Sequence, residues 1–211
     1  TPYVMVDRVV DELDCNKVLF DHEQGGYMAT RYLLDQGHRR IACIVNAAKS
    51  VTGRKRLAGY RRALDEAGVA LDPALVLESE YYIASAYAAA EGVLASDATA
   101  VFASSDNIAL GLLKRLHEAG LRIPVDYSVV SYDNSAADAL FESALTSVDQ
   151  NVAELAEHAI GLMLACARKV PQANASMHEG VWERGKYTGV ELYEKTLAIF
   201  GLGRIGGLVA E

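Results

Sequence analysis

Short, wholly apolar runs alternate along this chain with longer segments in which apolar residues recur at helical spacing. Unbroken apolar runs are typical of strands buried in a parallel sheet, and the longer segments are typical of amphipathic helices. Strands alternating with helices in this way predict an α/β fold built on a parallel sheet. The predicted strands cover residues 3–6, 18–20, 41–45, 75–77, 100–103, 129–132 and 145–148. The predicted helices cover residues 24–36, 52–67, 85–95, 106–119 and 151 to about 169.

Residues that begin or stop helices stand at the ends of these segments. Ser105 is placed to cap the helix that follows it, because its hydroxyl can accept a bond from an unpaired N–H of the first turn. Gly37, Gly68 and Gly120 each follow a predicted helix, where glycine tolerates a left-handed ending. We expect the last predicted helix to end before Pro171.

In an open parallel sheet, ligands bind beyond the carboxyl ends of the strands, at helix N-termini. The first loop of this kind, residues 46–56, is basic. We interpret Arg54 and Lys55 as solvated side chains of the first helical turn. A cation is disfavoured at a helix N-terminus, so a basic residue there suggests a functional reason. Arg56 is the stronger candidate, because the planar set of N–H donors on its guanidinium matches vicinal hydroxyls, a carboxylate or a phosphate.

The other loops offer candidates that each have a plain structural alternative. Ser105 and Asp106 either contact a ligand or only cap a helix. Asp133 either accepts bonds from sugar hydroxyls or forms an Asx turn. Gln150 follows the last predicted strand at the same edge. The aromatic candidates, which either stack on a ligand or pack in the core, are Tyr81, Tyr82 and Phe20.

The composition is ordinary for a soluble globular protein, with 51% hydrophobic and 23% charged residues among 211. With a net charge of −8, the chain is poorly suited to binding the phosphate backbone of DNA. No apolar run approaches the ~18 residues of a membrane span, and no signal peptide opens the sequence. We therefore expect a cytoplasmic protein, and because residue 1 is Thr1 we expect a fragment.

Cysteine and histidine spacing changes this picture little. Cys15, Cys43 and Cys166 are far apart, and the histidines show no H-E-x-x-H or related pattern. We expect free thiols in a reducing compartment and no metal site.

Blocks of residues between Tyr3 and about Val152 match, in order and spacing, a known family of transcription regulators. This part of the chain resembles the effector-binding domain of the lactose/galactose-repressor (LacI/GalR) family. The blocks are residues 4–8 (VMVDR), 25–33, 34–42 (LDQGHRRIA), 56–60 (RLAGY), 63–64, 102–106 (FASSD), 109–111, 118–124 (EAGLRIP), 128–133 (SVVSYD) and 145–148 (LTSV).

The resemblance implies a two-lobed fold of the periplasmic-binding-protein type, with a small sugar-like or nucleoside-like effector between the lobes. By motif position, it implies that Arg56 and Asp133 are the main ligand contacts, while Ser105 stands where the family often has Asn. The further contacts implied by position are Asp106, Gln150, Tyr81, Phe20 and Asp7.

Some family elements are missing from the sequence, namely the helix-turn-helix, the hinge helix and the first elements of the N-terminal lobe, which normally precede Tyr3. We therefore expect an N-terminally truncated sensor that would reach DNA only through the missing helix-turn-helix. Apolar surface left uncovered by the missing elements would favour a homodimer or aggregation. We expect no membrane partner.

From about residue 153 the chain resembles the D-2-hydroxyacid dehydrogenase family, nearest to D-3-phosphoglycerate dehydrogenase. The resemblance covers residues 156–168, 171–174, 180–184, 187–192 and 195–206, and ends in a G-x-G-x-x-G motif after a predicted strand at 196–200. In a Rossmann unit these glycines permit a tight turn, the approach of a pyrophosphate and close helix packing. The vestigial cofactor-binding residues that it implies are Gly201, Gly203, Arg204, Ile205 and Gly206.

The acid that would bind the ribose of NAD, and the catalytic residues of that family, would lie beyond Glu211. We therefore expect no enzyme activity, no catalytic residues and no cofactor, with NAD possible only if another chain supplied the missing half. The sequence predicts a chimera, with a repressor-type sensor over residues 1–152 and a dehydrogenase-like segment over 153–211. Three functions stay open: a sugar-binding module, part of an NAD-dependent dehydrogenase of serine biosynthesis, and a fragment without activity.

Overall fold

A computed structural model of the chain describes residues 3–7, 14–135, 145–201 and 203–211. These residues form two units, Asp21–Gln150 and the combination of Thr1–Phe20 with Asn151–Glu211. The strands are β1 Val4–Val6, β2 Asn16–Val18, β3 Ile41–Val45, β4 Val76–Glu78, β5 Ala100–Ala103, β6 Ser128–Asp133 and β7 Thr146–Asp149. The helices are α1 His22–Asp35, α2 Val51–Glu66, α3 Ile83–Leu94, α4 Asp106–Glu118, α5 Val152–Ala167, α6 Val170–His178 and α7 Arg204–Ala210. A 3-10 turn, Pro73–Leu75, precedes β4.

The larger unit is built on a five-stranded sheet in the order β4-β3-β5-β6-β7. Every neighbouring pair is parallel, and Cys43 at the centre of β3 is paired with Val76 on one side and Phe102 on the other. Parallel neighbours need crossover connections, which α2, α3 and α4 provide. The predicted α/β fold with a parallel sheet is therefore confirmed.

Both faces of this sheet are covered, which explains the unbroken apolar runs. In β3, Ile41, Cys43 and Val45 pack into the core that holds the apolar side chains of α1 and α2. Ala42 and Ile44 point to the opposite core, which holds those of α3 and α4. Successive strand residues face opposite sides of the sheet, so burial on both faces requires every position to be apolar.

The helices of the larger unit begin and end within two residues of the predicted bounds. Ser105 caps α4 by accepting a hydrogen bond from the backbone N–H of Ile108 at 3.3 Å. Ser50 caps α2 in the same way, from the N–H of Gly53. Gly37, which follows α1, has φ 94° and ends the helix in the left-handed region that glycine tolerates best.

The smaller unit pairs β1 with β2 in parallel and packs both strands against α5. Val18, Leu155 and Ala159 form its buried cluster, with Ile205 and Val209 of α7 packed against it. Between His178 and Arg204, the described residues form neither helix nor strand. Among the residues that the structure describes, no helix has the length and apolar composition needed to cross a membrane.

One prediction for the C-terminal segment is wrong and another is confirmed. The predicted strand at 196–200 is not formed, and the ring of Phe200 is 98% exposed. A strand is held by hydrogen bonds to a neighbour, and no described strand runs beside this segment. The prediction that the helix beginning near residue 151 ends before Pro171 is confirmed, since α5 ends at Ala167. A separate helix that was not predicted, α6, begins at Val170 after Lys169 turns the chain with φ 55°, and Pro171 falls in its first turn, where its missing N–H costs little.

Candidate functional site

The candidate site is the carboxyl edge of the five-stranded sheet. Parallel strands end at the same edge, so the loops that follow them converge there. Arg56 comes from α2 after β3, and Ser105 and Asp106 stand at the start of α4 after β5. Asp133 ends β6 and Gln150 follows β7. Folding thus places all five predicted residues along one edge.

Arg56 is the most buried cation of this edge, with 5% of its surface exposed. Its Nη1 donates to the carbonyl oxygen of Ser104 at 2.5 Å, and its Cζ lies 3.8 Å from the centroid of the Tyr132 ring. Its Nη2 lies 3.4 Å from Oδ1 of Asp133. A buried cation needs such partners, because losing its hydration costs several kcal/mol.

Two polar atoms of this edge are buried without a hydrogen-bond partner among the described residues: Nε of Arg56 and Oγ of Ser104. Native proteins rarely leave such atoms unpaired, so each calls for a water molecule or a ligand group. The guanidinium therefore has a donor that the described protein does not use.

Asp133 has an unusual backbone, with φ 100°. Residues other than glycine rarely adopt this region, although Asp and Asn tolerate its neighbourhood better than most, and such conformations cluster at functional sites. Its Oδ1 accepts a hydrogen bond from Nε2 of Gln150 at 2.6 Å and faces Arg56. The Asp133 side chain is 28% exposed against 6% for that of Arg56, so the carboxylate is the accessible member of the pair.

Asp106 uses both carboxylate oxygens inside the protein. Oδ1 accepts from the hydroxyl of Ser131 at 2.7 Å, and Oδ2 accepts from the N–H and hydroxyl of Ser135 at 2.6 and 2.5 Å. Ser105 serves as a helix cap. These contacts account for both residues structurally by holding the segment that follows β6, and their contact with a ligand stays a prediction.

Tyr81 links three loops of the edge. Its hydroxyl lies 3.3 Å from Oγ of Ser50, and its carbonyl oxygen accepts from Nδ2 of Asn107 at 3.2 Å. These bonds fix the backbone around an aromatic ring that is only partly buried. Tyr82, the neighbouring aromatic candidate, is 68% exposed.

Asp7 and Phe20 belong to the smaller unit. The N–H of Asp7 donates to the carbonyl oxygen of Val18 at 2.8 Å, and Phe20 packs against the cluster around Val18 and Leu155. Their predicted ligand contacts stay predictions.

His22 and Tyr132 belong to the site and were not predicted. Nδ1 of His22 lies 3.4 Å from Nη2 of Arg56 and 3.3 Å from the hydroxyl of Tyr132. Tyr132 stood in the sequence as an ordinary strand residue, and its position directly before Asp133 was the available signal. His22 opens α1 after the cap Asp21, and nothing in its local sequence indicates a role.

The glycine-rich C-terminal motif keeps only part of the geometry of a dinucleotide site. Gly201 has φ 101° and makes a tight turn, and a Cβ on Gly206 would lie 2.0 Å from the carbonyl oxygen of Gly201. However, no strand leads into this turn, and α7 spans only 7 residues. A pyrophosphate site needs a strand, a turn and a helix fixed together. The described residues therefore do not fit NAD.

Comparison with known proteins agrees with the parallel α/β fold of the larger unit. The sequence model of the periplasmic binding protein-like domain matches residues 30–185. The chain belongs to this family. Relatives that match this chain are LacI-type transcription regulators, and solved structures of such regulators have this α/β fold.

Three relatives illustrate the similarity. The transcriptional repressor PurR of Vibrio campbellii is 37% identical over 165 residues, which are 77% of this chain and 49% of PurR. A sugar-binding LacI-family regulator from Escherichia coli, solved with phosphate, is 32% identical with a TM-score of 0.72 over 78% of this chain and 60% of its own. A LacI-family regulator from Enterococcus faecium, solved with ribose, has the same identity and TM-score over 78% and 61%. The chain spans about half the length of the curated relative.

A second, shorter match covers residues 160–211, where the sequence resembles the NAD-binding domain of D-isomer specific 2-hydroxyacid dehydrogenases. It overlaps the first match between residues 160 and 185. The relatives named above are transcription regulators.

Proposed function

We propose that this chain is the effector-binding part of a LacI-type transcription regulator and that its effector is a small, sugar-like molecule. The observation that carries the proposal is the Arg56–Asp133 pair at the carboxyl edge of the sheet. A guanidinium and a carboxylate side by side offer donors and acceptors together, which is what the hydroxyl groups of a polyol require.

The relatives support the same ligand class. One is described as sugar-binding and another holds ribose. DNA recognition would belong to a part of the regulator outside this sequence, since an acidic chain with a net charge of −8 binds the DNA backbone poorly.

The C-terminal segment has no role in this proposal. We propose that residues 153–211 descend from a dehydrogenase, as the match over 160–211 supports, and that they do not bind NAD, because no strand forms before Gly201.

A thermal-unfolding scan of the purified chain with sugars, nucleosides and NAD tests the proposal. A ligand present at ~100 times its dissociation constant stabilises the folded protein by about 2.7 kcal/mol. We expect a sugar to raise the unfolding temperature and NAD to leave it unchanged. A chain that NAD stabilises, or that no sugar stabilises, contradicts the proposal.

Substitution of Arg56 then locates the site. Arg56→Lys keeps the charge and removes the planar fork, so we expect binding of the identified sugar to weaken about 10-fold or more, corresponding to the loss of a charge-assisted hydrogen bond of about 1.5–3 kcal/mol. The matched control is Arg61→Lys, at an exposed position of the same helix. Equal binding by both variants would remove Arg56 from the site.

A further inference from the structure

Basic side chains at the carboxyl edge of the sheet already form ion pairs or hydrogen bonds within the protein. Lys49 lies in the loop after β3, and its Nζ is 2.5 Å from Oε1 of Glu80. Arg56 faces Asp133. Arg54 donates to the carbonyl oxygen of Ala47 at 3.3 Å. The two ion pairs offset the charge of Lys49 and Arg56, which are two of the four basic side chains in residues 46–56.

The backbone donors beside α2 are occupied in the same way. Oε2 of Glu78 accepts from the N–H of Ala47 at 3.2 Å, and Oε1 accepts from the N–H of Ala48 at 3.0 Å. Exposed N–H groups before a helix are a common binding place for phosphate. Here the carboxylate of Glu78 already accepts hydrogen bonds from those N–H groups.

The guanidinium of Arg56 is also only partly available. Arginine binds phosphate best through two parallel hydrogen bonds from one guanidinium group. Nη1 of Arg56 donates to Ser104, and Nη2 is directed at Asp133 and His22. Among the described residues, the unpartnered buried donor on this side chain is Nε. One such N–H matches a single hydroxyl oxygen.

We infer that this site selects uncharged polyols and rejects their phosphorylated forms, because Lys49 and Arg56 are each ion-paired and, among the described residues, carboxylates outnumber cations at the carboxyl edge. This inference rests on the proposed function and narrows it. The described carboxylates of this edge are Glu78, Glu80, Asp106, Asp133 and Asp149, and its described cations are Lys49, Arg54, Lys55 and Arg56.

Matched pairs of ligands test the inference on the whole chain: D-ribose with D-ribose 5-phosphate, and D-glucose with D-glucose 6-phosphate. Dissociation constants are measured by calorimetry at low and at moderate salt. We expect a neutral sugar to bind at least 10-fold more tightly than its phosphate ester, with little dependence on salt. A phosphate ester that binds as tightly as its neutral partner overturns the inference but leaves the proposed function standing. Failure of every sugar overturns both.

The variant Glu80→Gln tests the physical cause. It releases the ammonium group of Lys49, so the affinity for the phosphate ester relative to the neutral sugar should rise several-fold at low salt. The matched control is Glu91→Gln, which releases Arg115 from its 2.5 Å ion pair near the end of α3, at the opposite edge of the sheet. An unchanged ratio in Glu80→Gln, or an equal rise in the control, contradicts charge pairing as the cause of selection.

Discussion

The Cζ atom of Arg56 lies 3.8 Å from the centroid of the Tyr132 ring, in the interior of the larger unit. The ring carries negative charge on its faces, so this contact stabilises a guanidinium that has lost most of its hydration. Tyr132 is itself only 2% exposed and packs in the core beside Phe102. The strand that ends in Asp133 thus supplies both the carboxylate and the aromatic support of the cation.

Replacing the aromatic ring of Tyr132 should therefore lower the free energy of unfolding more than removing its hydroxyl group. We expect Tyr132→Leu to lower the free energy of unfolding by about 2 kcal/mol, because a cation–π contact of about 0.5–2 kcal/mol is lost and the core is underfilled. Tyr132→Phe keeps the ring and should lose about 1 kcal/mol or less. Urea denaturation measures both, and equal losses would contradict the role of the ring.

Close packing of α1 against α2 depends on Gly59. A Cβ at this position would lie 2.0 Å from the carbonyl oxygen of Glu23 and 2.5 Å from the N atom of Tyr27. Because both atoms are backbone, the helices must move apart, and we expect Gly59→Ala to destabilise the larger unit by about 1–3 kcal/mol.

The matched control is Gly161→Ala in α5, where an added Cβ meets nothing within 4 Å. Alanine favours the helix by about 0.5–1 kcal/mol, so this variant should be slightly stabilised. The same sign of change in both variants, measured by denaturation, would be inconsistent with the packing described.

Acid sensitivity should depend in part on Asp72. Hydrogen bonds from Arg40 and from the N–H of Ala74 lower the pKa of its carboxyl below the ordinary value of 3.8. A carboxyl whose pKa is lower in the folded state stabilises the fold above the unfolded pKa and loses this effect as pH falls through the folded pKa.

The stability difference between the natural chain and Asp72→Asn should therefore be largest near neutral pH and shrink below about pH 4. Unfolding temperatures measured from pH 7 down to pH 2.5 check this. A difference that stays constant over that range would mean that the ionised carboxylate contributes nothing.

The three thiols should differ in reactivity. Cys43 is completely buried in β3, and burial raises the pKa of its thiol. Only the thiolate reacts readily, so we expect N-ethylmaleimide at neutral pH to modify Cys15 and Cys166, which are partly exposed, before Cys43. Mass spectrometry of peptides reads the result. Rapid modification of Cys43 in the folded chain would contradict the buried position of β3.

Much of the larger unit could be predicted because its signals are local. The apolar run of β3, the cap at Ser105 and the stop at Gly37 each act within a few residues. The placement of Arg56, Asp133 and Gln150 at one edge also followed, since parallel strands end together. The roles of His22 and Tyr132 could not be predicted, because they depend on contacts between α1, α2 and β6 that no local pattern encodes.

The C-terminal segment shows the opposite case. The run at 196–200 has the composition of a strand, and the glycines after it have the spacing of a Rossmann turn. A strand nevertheless needs a partner, and the described chain offers none there. Gly201 still makes its turn because a turn is local, whereas the dinucleotide site depends on a sheet.

The most direct test of the account is a calorimetric titration of the sugar that stabilises the chain most, into the natural protein and into Asp133→Asn. Asparagine fits the same space and tolerates the left-handed backbone, so the substitution removes mainly the charge. The matched control is Asp65→Asn, an exposed position near the opposite end of α2. We expect the dissociation constant to rise about 10-fold or more in Asp133→Asn and to stay unchanged in the control. A constant that is the same in all three proteins would show that Asp133 does not bind the effector.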